Sequence, residues 1–183
     1  MCIRDSLGYG ILLWLLVKIR EAVHPARRYA FPADPPEVTL LIAAYNEQEV
    51  VAEKMANCRA LDYPAGKIRV TWITDGSTDR TVELLAAYPE VTVLHDPRRG
   101  GKTAALNRAL GIVRTPLVVF TDANTMLNPE AVAQVVRCFE DPAVGCVAGE
   151  KRVAGTGNTG AAATEGIYWK YESKLKELDH RLY

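Results

Sequence analysis

From Val38 onward, apolar runs and amphipathic stretches alternate along the chain, a pattern that predicts strands and helices in turn. Val38 to Ala44 is a continuous apolar run of the kind found in strands covered on both faces. Tyr45-Asn46-Glu47 ends it, and Glu49 to Arg59 reads as a helix with Val50, Val51, Met55 and Cys58 inward. Asp62-Tyr63-Pro64 and Gly66 form a turn. Ile68 to Thr74 is a second strand ending at Asp75-Gly76-Ser77-Thr78-Asp79. Ser77 or Thr78 is placed to cap a helix over Thr81 to Ala87, with Asp79 favourable in its first turn.

Val91 to Leu94 predicts a short third strand, and Lys102 to Ile112 a helix. Pro116 opens a strand that stops at Asp122, and Ala131 to Phe139 is helical after Pro129. Val144 to Gly149 reads as a fifth strand, and Gly155 to Gly160 as a flexible loop. A last helix from about Ala161 aligns Tyr168, Tyr171, Leu175, Leu178 and Leu182 in one stripe that suits core or interface. Repeated βα units with short links give an α/β fold, a mostly parallel sheet with helices on both faces.

Ahead of this lies a different texture. Leu7 to Ile19 is apolar apart from Lys18, yet at about thirteen residues it falls short of the roughly twenty needed to span a bilayer. Lys18, Arg20, Arg27 and Arg28 follow it instead of a small-residue cleavage site, which argues against a signal peptide. Two readings stand: the tail end of a transmembrane helix, or a peripheral amphipathic helix. Basic residues after it place the following domain on the cytoplasmic side. His24 to Pro36, with four prolines and no periodicity, is a linker in which His24 is solvated. The expected organisation is therefore a membrane-associated helix over 1–20, a proline-rich linker over 21–36 and an α/β domain over 37–183.

With 183 residues the chain can bury one domain's core. A formal net charge of +0 removes the basic face that a nucleic-acid binder needs. Cys58, Cys138 and Cys146 are far apart, with no paired spacing and no nearby histidine, so they read as buried thiols.

The chemistry gathers at strand ends. Tyr45-Asn46-Glu47, Asp75-Gly76-Ser77, His95-Asp96 and Asp122-Ala123-Asn124 all follow predicted strands, and parallel strands open on one edge, where such sheets bind ligands. Asp122 and Asn124 present hard oxygen donors suited to a divalent cation carrying a phosphate. A lone strand-end aspartate such as Asp75 has the alternative of capping the next helix, and Asp122 that of an Asx-turn. Asp79 reads as structural. Gly100-Gly101-Lys102-Thr103 is like the end of a phosphate loop, but Asp96 stands where that motif needs glycine. Lys102 at a helix start, beside exposed backbone N–H groups, still favours a diphosphate; an ordinary solvated lysine is the alternative. Arg98 and Arg99 read as a mobile, solvated rim.

Four segments in order, Ala43-Ala44-Tyr45-Asn46-Glu47, Asp75-Gly76-Ser77-Thr78-Asp79, Gly101-Lys102-Thr103-Ala104-Ala105-Leu106-Asn107 and Thr121-Asp122-Ala123-Asn124, resemble the family 2 glycosyltransferases. The N-terminal apolar stretch and the segment from Gly149 to Glu172 look most like the family's membrane-bound branch of processive polysaccharide synthases. The resemblance implies a nucleotide-diphospho-sugar transferase fold, GT-A-like and Rossmann-like, incomplete at the C-terminus. It implies that Ala44, Tyr45 and Glu47 line the nucleoside pocket and that Asp75 accepts a hydrogen bond from the base, a uracil N–H if the donor is UDP-linked. Lys102 would approach the diphosphate, and Asp122 and Asn124 would hold the ribose–diphosphate and its Mg²⁺ or Mn²⁺.

Two departures follow. The family's Asp-x-Asp is Asp-x-Asn here, which removes a charge from the metal site, and Thr74 replaces the first of a usual acid pair before Asp75. The general base belongs to a later motif, expected beyond Tyr183. Glu165, Glu172, Glu177 and Asp179 stand in no such motif. The function implied is an inverting glycosyltransferase that moves a sugar from a nucleotide-diphosphate donor to a polysaccharide or glycolipid acceptor. The alternative is a catalytically incomplete module that binds nucleotide sugar and metal. A nucleotidyltransferase would need a glycine-rich first turn, which Ala44-Tyr45-Asn46-Glu47 does not offer.

Overall fold

The computed structural model describes residues 3–23, 29–150, 171–179, 181 and 182. His24, the 155–160 loop, the start of the last helix with Tyr168, and Glu165 lie outside the described residues. The elements run α1 (Ile3–Val23), β1 (Val38–Ala44), α2 (Val51–Arg59), β2 (Ile68–Asp75), α3 (Thr81–Leu85), β3 (Thr92–Asp96), α4 (Lys102–Leu110), β4 (Leu117–Asp122) and α5 (Ala131–Cys138).

Residues 29–147 form one compact unit around a four-stranded, all-parallel sheet of order β3-β2-β1-β4. The apolar run in β1 puts it at the centre, where Val38, Leu40, Leu41 and Ile42 are fully buried. Alternate side chains enter two cores. Leu40, Ile42 and Trp72 pack with Val51 and Met55 of α2, Leu85 of α3 and Val132 and Val136 of α5. Leu41 and Ile73 pack on Ala105 and Ala109 of α4. Helices therefore cover both faces, as the βα alternation predicts. The chain moves from β1 outward to β2 and β3, then crosses back to β4 on the far side of β1. That reversal makes a switch point between β1 and β4. Register aligns the strand ends, with Ala43 opposite Asp122, Ala44 opposite Thr74, and Asp75 opposite Asp96.

A second unit is built from the two ends of the chain. In it, Leu13 and Val17 of α1 are buried against Leu178, with Leu175 and Leu182 packed beside them, so part of the predicted stripe is core. Tyr9 donates to Asp179 at 3.0 Å, and Arg181 pairs with Glu21 at 3.3 Å. Ile11, Leu12, Trp14, Leu15, Leu16, Ile19 and Val23 of α1 remain exposed. Among the described residues, no helix is long and apolar enough to cross a membrane.

Three local expectations are corrected. Residues 144–149 are not a strand. Gly145 and Gly149 stiffen nothing, and β4 keeps an edge that this segment does not pair with. Of the three, Cys58 is buried and Cys138 and Cys146 are exposed; a sparse cysteine pattern says nothing of which side of an element it falls on. Neither Ser77 nor Thr78 caps α3. The N-cap is Arg80, and it is Asp79, just before it, that bonds the helix start, taking the Thr81 amide at 3.0 Å and the Thr81 hydroxyl at 2.5 Å. Its other oxygen accepts from the Gln48 amide at 3.0 Å, so it also clamps the turn after β1. Burial works to raise the Asp79 pKa, but the bonds from Thr81 and Gln48 outweigh it and hold the carboxyl below its ordinary value.

Asp79→Ala is expected to cost about 0.5–2 kcal/mol in urea unfolding at neutral pH. Because the folded pKa lies below the unfolded one, this contribution is present above the unfolded value of about 3.9 and lost as pH falls through the folded value. A deficit that stayed constant down through acid pH would assign the effect to packing instead.

Candidate functional site

Four loops meet at the C-terminal edge of the sheet around an open cavity of about 260 Å³. The end of β1 contributes Ala43, Ala44, Tyr45 and Glu47, the end of β2 Ile73 and Asp75, and the end of β4 Asp122 and Asn124. Arg99, Gly101, Lys102 and Ala105 come from the start of α4 and the loop before it. Every residue nominated from sequence (Ala44, Tyr45, Glu47, Asp75, Lys102, Asp122 and Asn124) therefore faces one space. His95-Asp96, the fourth polar strand end, does not line it.

Asp75 sets the geometry. Its side chain is buried, and it accepts the Gly100 amide at 3.1 and 3.0 Å and the Gly101 amide at 2.6 Å. Arg108 of α4 stands 3.9 Å from Asp75 and 3.3 Å from Asp96, backing the carboxylate with a cation. Asp75 therefore does not cap α3; it holds the loop that starts α4. The Gly100 and Gly101 N–H groups just before that helix are taken by Asp75, whereas the Gly101 N-cap carries no side-chain cap bond. The start of α4 brings Gly101, the Lys102 side chain and Ala105 to the cavity.

Arg99 is also corrected. It is exposed, but it is not a free rim residue: its guanidinium carbon lies 4.1 Å from the centre of the Tyr45 ring, a cation–π stack. Its backbone is fixed by close approach. Gly76 sits at φ +71°, and a Cβ there would come within 2.9 Å of the Arg99 Cβ and 3.0 Å of its amide nitrogen. Arg98, by contrast, is 92% exposed, as expected of a rim residue.

Asn46 shapes the first loop. At φ +53° it adopts a left-handed conformation that asparagine tolerates better than most residues. Its carboxamide accepts the Thr78 amide at 2.8 Å, and its own amide donates to Ser77 at 3.2 Å, so the β1 and β2 ends are tied together. Glu47, between this tie and the cavity, has its pKa raised by burial first and then by the negative charges of Asp122 and Asp79.

Lys102 donates to Asp122 at 2.5 Å. Both are well exposed, so the pair adds little stability, but it marks where a cation sits against the Asp122 carboxylate. Among the described residues no three His, Cys, Asp or Glu side chains gather as a metal site. Asp122 and Asn124 nevertheless give two hard oxygen donors on one short turn, which fits part of a divalent-cation shell completed by phosphate and water oxygens. Beneath them, Lys54 of α2 is fully buried and donates to Thr121 at 3.1 Å and to the Thr125 carbonyl. Burial lowers its pKa, while the nearby Asp122 charge works in the opposite direction.

Sequence reasoning missed Arg99, Asn46, Arg108 and Lys54. Asn46 and Arg108 sit within or beside the quoted segments and carried a signal. Lys54, an ordinary lysine in an amphipathic helix, carried none.

A family model described as Glycosyl transferase family 2 matches residues 39–182. A β-monoglucosyldiacylglycerol synthase of Nostoc sp. is 34% identical over 125 residues, 65% of this chain and 27% of that protein. A poly-β-1,6-N-acetyl-D-glucosamine synthase of Staphylococcus aureus is 33% identical over 122 residues, 63% of this chain and 29% of that protein. The chain thus spans under a third of the length of these curated relatives. The mannosyltransferase PcManGT from Pyrobaculum calidifontis, solved with GDP-Man and Mn²⁺, superposes with a TM-score of 0.67 at 30% identity. That match covers 77% of this chain and 43% of the other. TarS of S. aureus, solved with UDP-GlcNAc, has a TM-score of 0.50 at 22% identity over 54% of this chain and 29% of its own, a likeness of fold.

Gly76→Ala is expected to lose about 1–3 kcal/mol in urea unfolding, from a strained φ and a Cβ with no room. Hydrogen exchange should quicken at the Gly100 and Gly101 amides in the same variant; unchanged protection there would show that Gly76 does not position the loop.

Proposed function

Because the chain belongs to glycosyl transferase family 2, we propose that it forms the donor-binding part of an inverting glycosyltransferase. The donor is a nucleotide-diphosphate sugar, UDP-linked, and the acceptor a polysaccharide or a glycolipid. The observation that carries this reading is the convergence of Asp75, Lys102 and Asp122 on one cavity at the sheet's switch point.

The residues divide the task. The Tyr45 ring and the Arg99 guanidinium give the base flat surfaces for stacking. Asp75 is an acceptor whose oxygens retain lone pairs beyond those used by Gly100 and Gly101, so an imide N–H at the base edge suits it. Lys102 swings from Asp122 to the diphosphate as that group arrives, exchanging one anion for another. Asp122 and Asn124 would hold Mg²⁺ or Mn²⁺. The cation, when bound, neutralises charge growing on the leaving nucleoside diphosphate. PcManGT, solved with GDP-Man and Mn²⁺, supports a divalent metal accompanying the donor. The proton of the acceptor hydroxyl goes to a general base outside the cavity's lining. The exposed apolar residues of α1, with Lys18 and Arg20 after them, support association with a membrane whose cytoplasmic side carries the domain.

A second reading, a module that binds donor and metal without turnover, differs on one measurement. Both predict UDP binding in the presence of Mn²⁺ by calorimetry; only the enzyme hydrolyses or transfers the sugar of a UDP-sugar. Tighter binding of GDP than of UDP would overturn the uridine assignment, and no binding of either would overturn the reading as a whole.

Asn124→Asp restores a formal charge and is expected to tighten the apparent Mn²⁺ affinity, measured by titration with UDP present. Asp122→Ala is expected to abolish the metal-dependent part of UDP binding. An unchanged Mn²⁺ affinity in both variants would remove Asp122 and Asn124 from the cation site.

A further inference from the structure

The turn that carries Asp122 and Asn124 is closed by the Thr125 amide donating to the Asp122 carbonyl at 3.2 Å. Its two flanks are joined underneath by one side chain. The Lys54 ammonium, fully buried, donates to Thr121 Oγ1 at 3.1 Å on the strand side and to the Thr125 carbonyl on the exit side. One turn further along α2, Asn57 donates to the Leu127 carbonyl at 2.7 Å and accepts the Leu127 amide at 2.9 Å. Lys54 and Asn57 lie three residues apart and share a helix face, so α2 acts as a splint along the segment from Thr121 to Leu127.

A lysine is a poor choice for this place if stability is all it serves. Removing an ammonium from water is costly, and a core in which this lysine and its two oxygen partners were all replaced by apolar groups would be as stable or more so. Methionine would suit the buried face of α2 that Lys54 shares with Val51, Met55 and Cys58. What methionine lacks is a donor to bridge Thr121 and Thr125.

We propose that Lys54 is a positioning residue for the cation site, its buried ammonium fixing the spacing at which Asp122 and Asn124 present their oxygens. It touches neither the donor nor the metal, and acts through the turn. The inference rests on the nucleotide–cation reading given above, but one of its tests does not.

The experiment compares the wild-type chain with Lys54→Met. UDP is titrated by calorimetry with Mn²⁺ and again with EDTA, and amide hydrogen exchange is followed without ligand. Lys54→Met leaves the Thr121 hydroxyl and the Thr125 carbonyl without this donor, so it is expected to melt modestly below wild type and to keep its metal-free UDP affinity. Its Mn²⁺-linked gain in affinity falls by about 10- to 100-fold, the range for losing a supporting contact behind a metal ligand. Exchange at the Thr125 amide quickens. A well-folded Lys54→Met with the wild-type Mn²⁺-linked gain overturns the proposal, as does an equal loss with and without metal, which marks general damage. If Lys54→Met does not fold, Thr121→Val removes one of the two acceptors with little change of shape, and the same pattern decides. Should wild type bind no UDP, the nucleotide reading fails, and exchange at Thr125 still decides whether Lys54 holds the turn.

Discussion

The cavity depends on one buried carboxylate. Asp75 stands at the end of a strand whose last five residues are all buried, and it takes both glycine amides of the Gly100-Gly101 pair. Charge-assisted bonds of this kind are stronger than neutral ones. They fasten the start of α4 to the end of β2, two points 25 residues apart in the chain. Lys102 and Arg99 flank the fastened pair and are carried into the cavity with it. Without that anchor, Gly100 and Gly101 would be an unrestrained hinge between a short strand and a helix.

Charge around the site is arranged in alternation. Glu47, Asp75 and Asp122 bring negative groups, and Arg99, Lys102, Arg108 and Lys54 answer them from the facing loop, from behind Asp75 and from below. The upward shift at Glu47 records the cost of crowding carboxylates into a partly dry space. Such a site is poised for a ligand that is itself anionic and carries a cation. On the proposed function, a phosphate would draw on the lysine and arginine, and a divalent ion would relieve the acids. The Lys102–Asp122 pair is a stand-in for that exchange, exposed and weak enough to open.

How much of this was legible before folding varies by residue. The strands were legible because buried parallel strands are apolar without interruption, and Val38 to Ala44 leaves little else to be. That the nominated polar residues would share one cavity was legible because strands that end in Asp or Asn in a parallel sheet all end at one edge. The strand predicted at 144–149 failed, since apolar content alone does not supply an edge to pair with. Arg99 looked like a solvated rim because nothing in the Arg98-Arg99 pair tells which one lies over Tyr45; the left-handed Gly76, 23 positions earlier, decides it. Lys54 was invisible, as its burial depends on where α2 meets the exit of β4.

By itself, the sequence determined the order of elements, the class of sheet and the edge on which its acids would gather, because periodicity and strand ends are local properties. Tertiary structure decided which of the polar groups are used up in holding the loops and which are left for a ligand. That partition turns on hydrogen bonds between segments tens of residues apart: Asp75 to Gly100, Asn46 to Thr78, Lys54 to Thr125. A hydrogen bond's partner is set by distance in space, and distance along the chain carries no record of it.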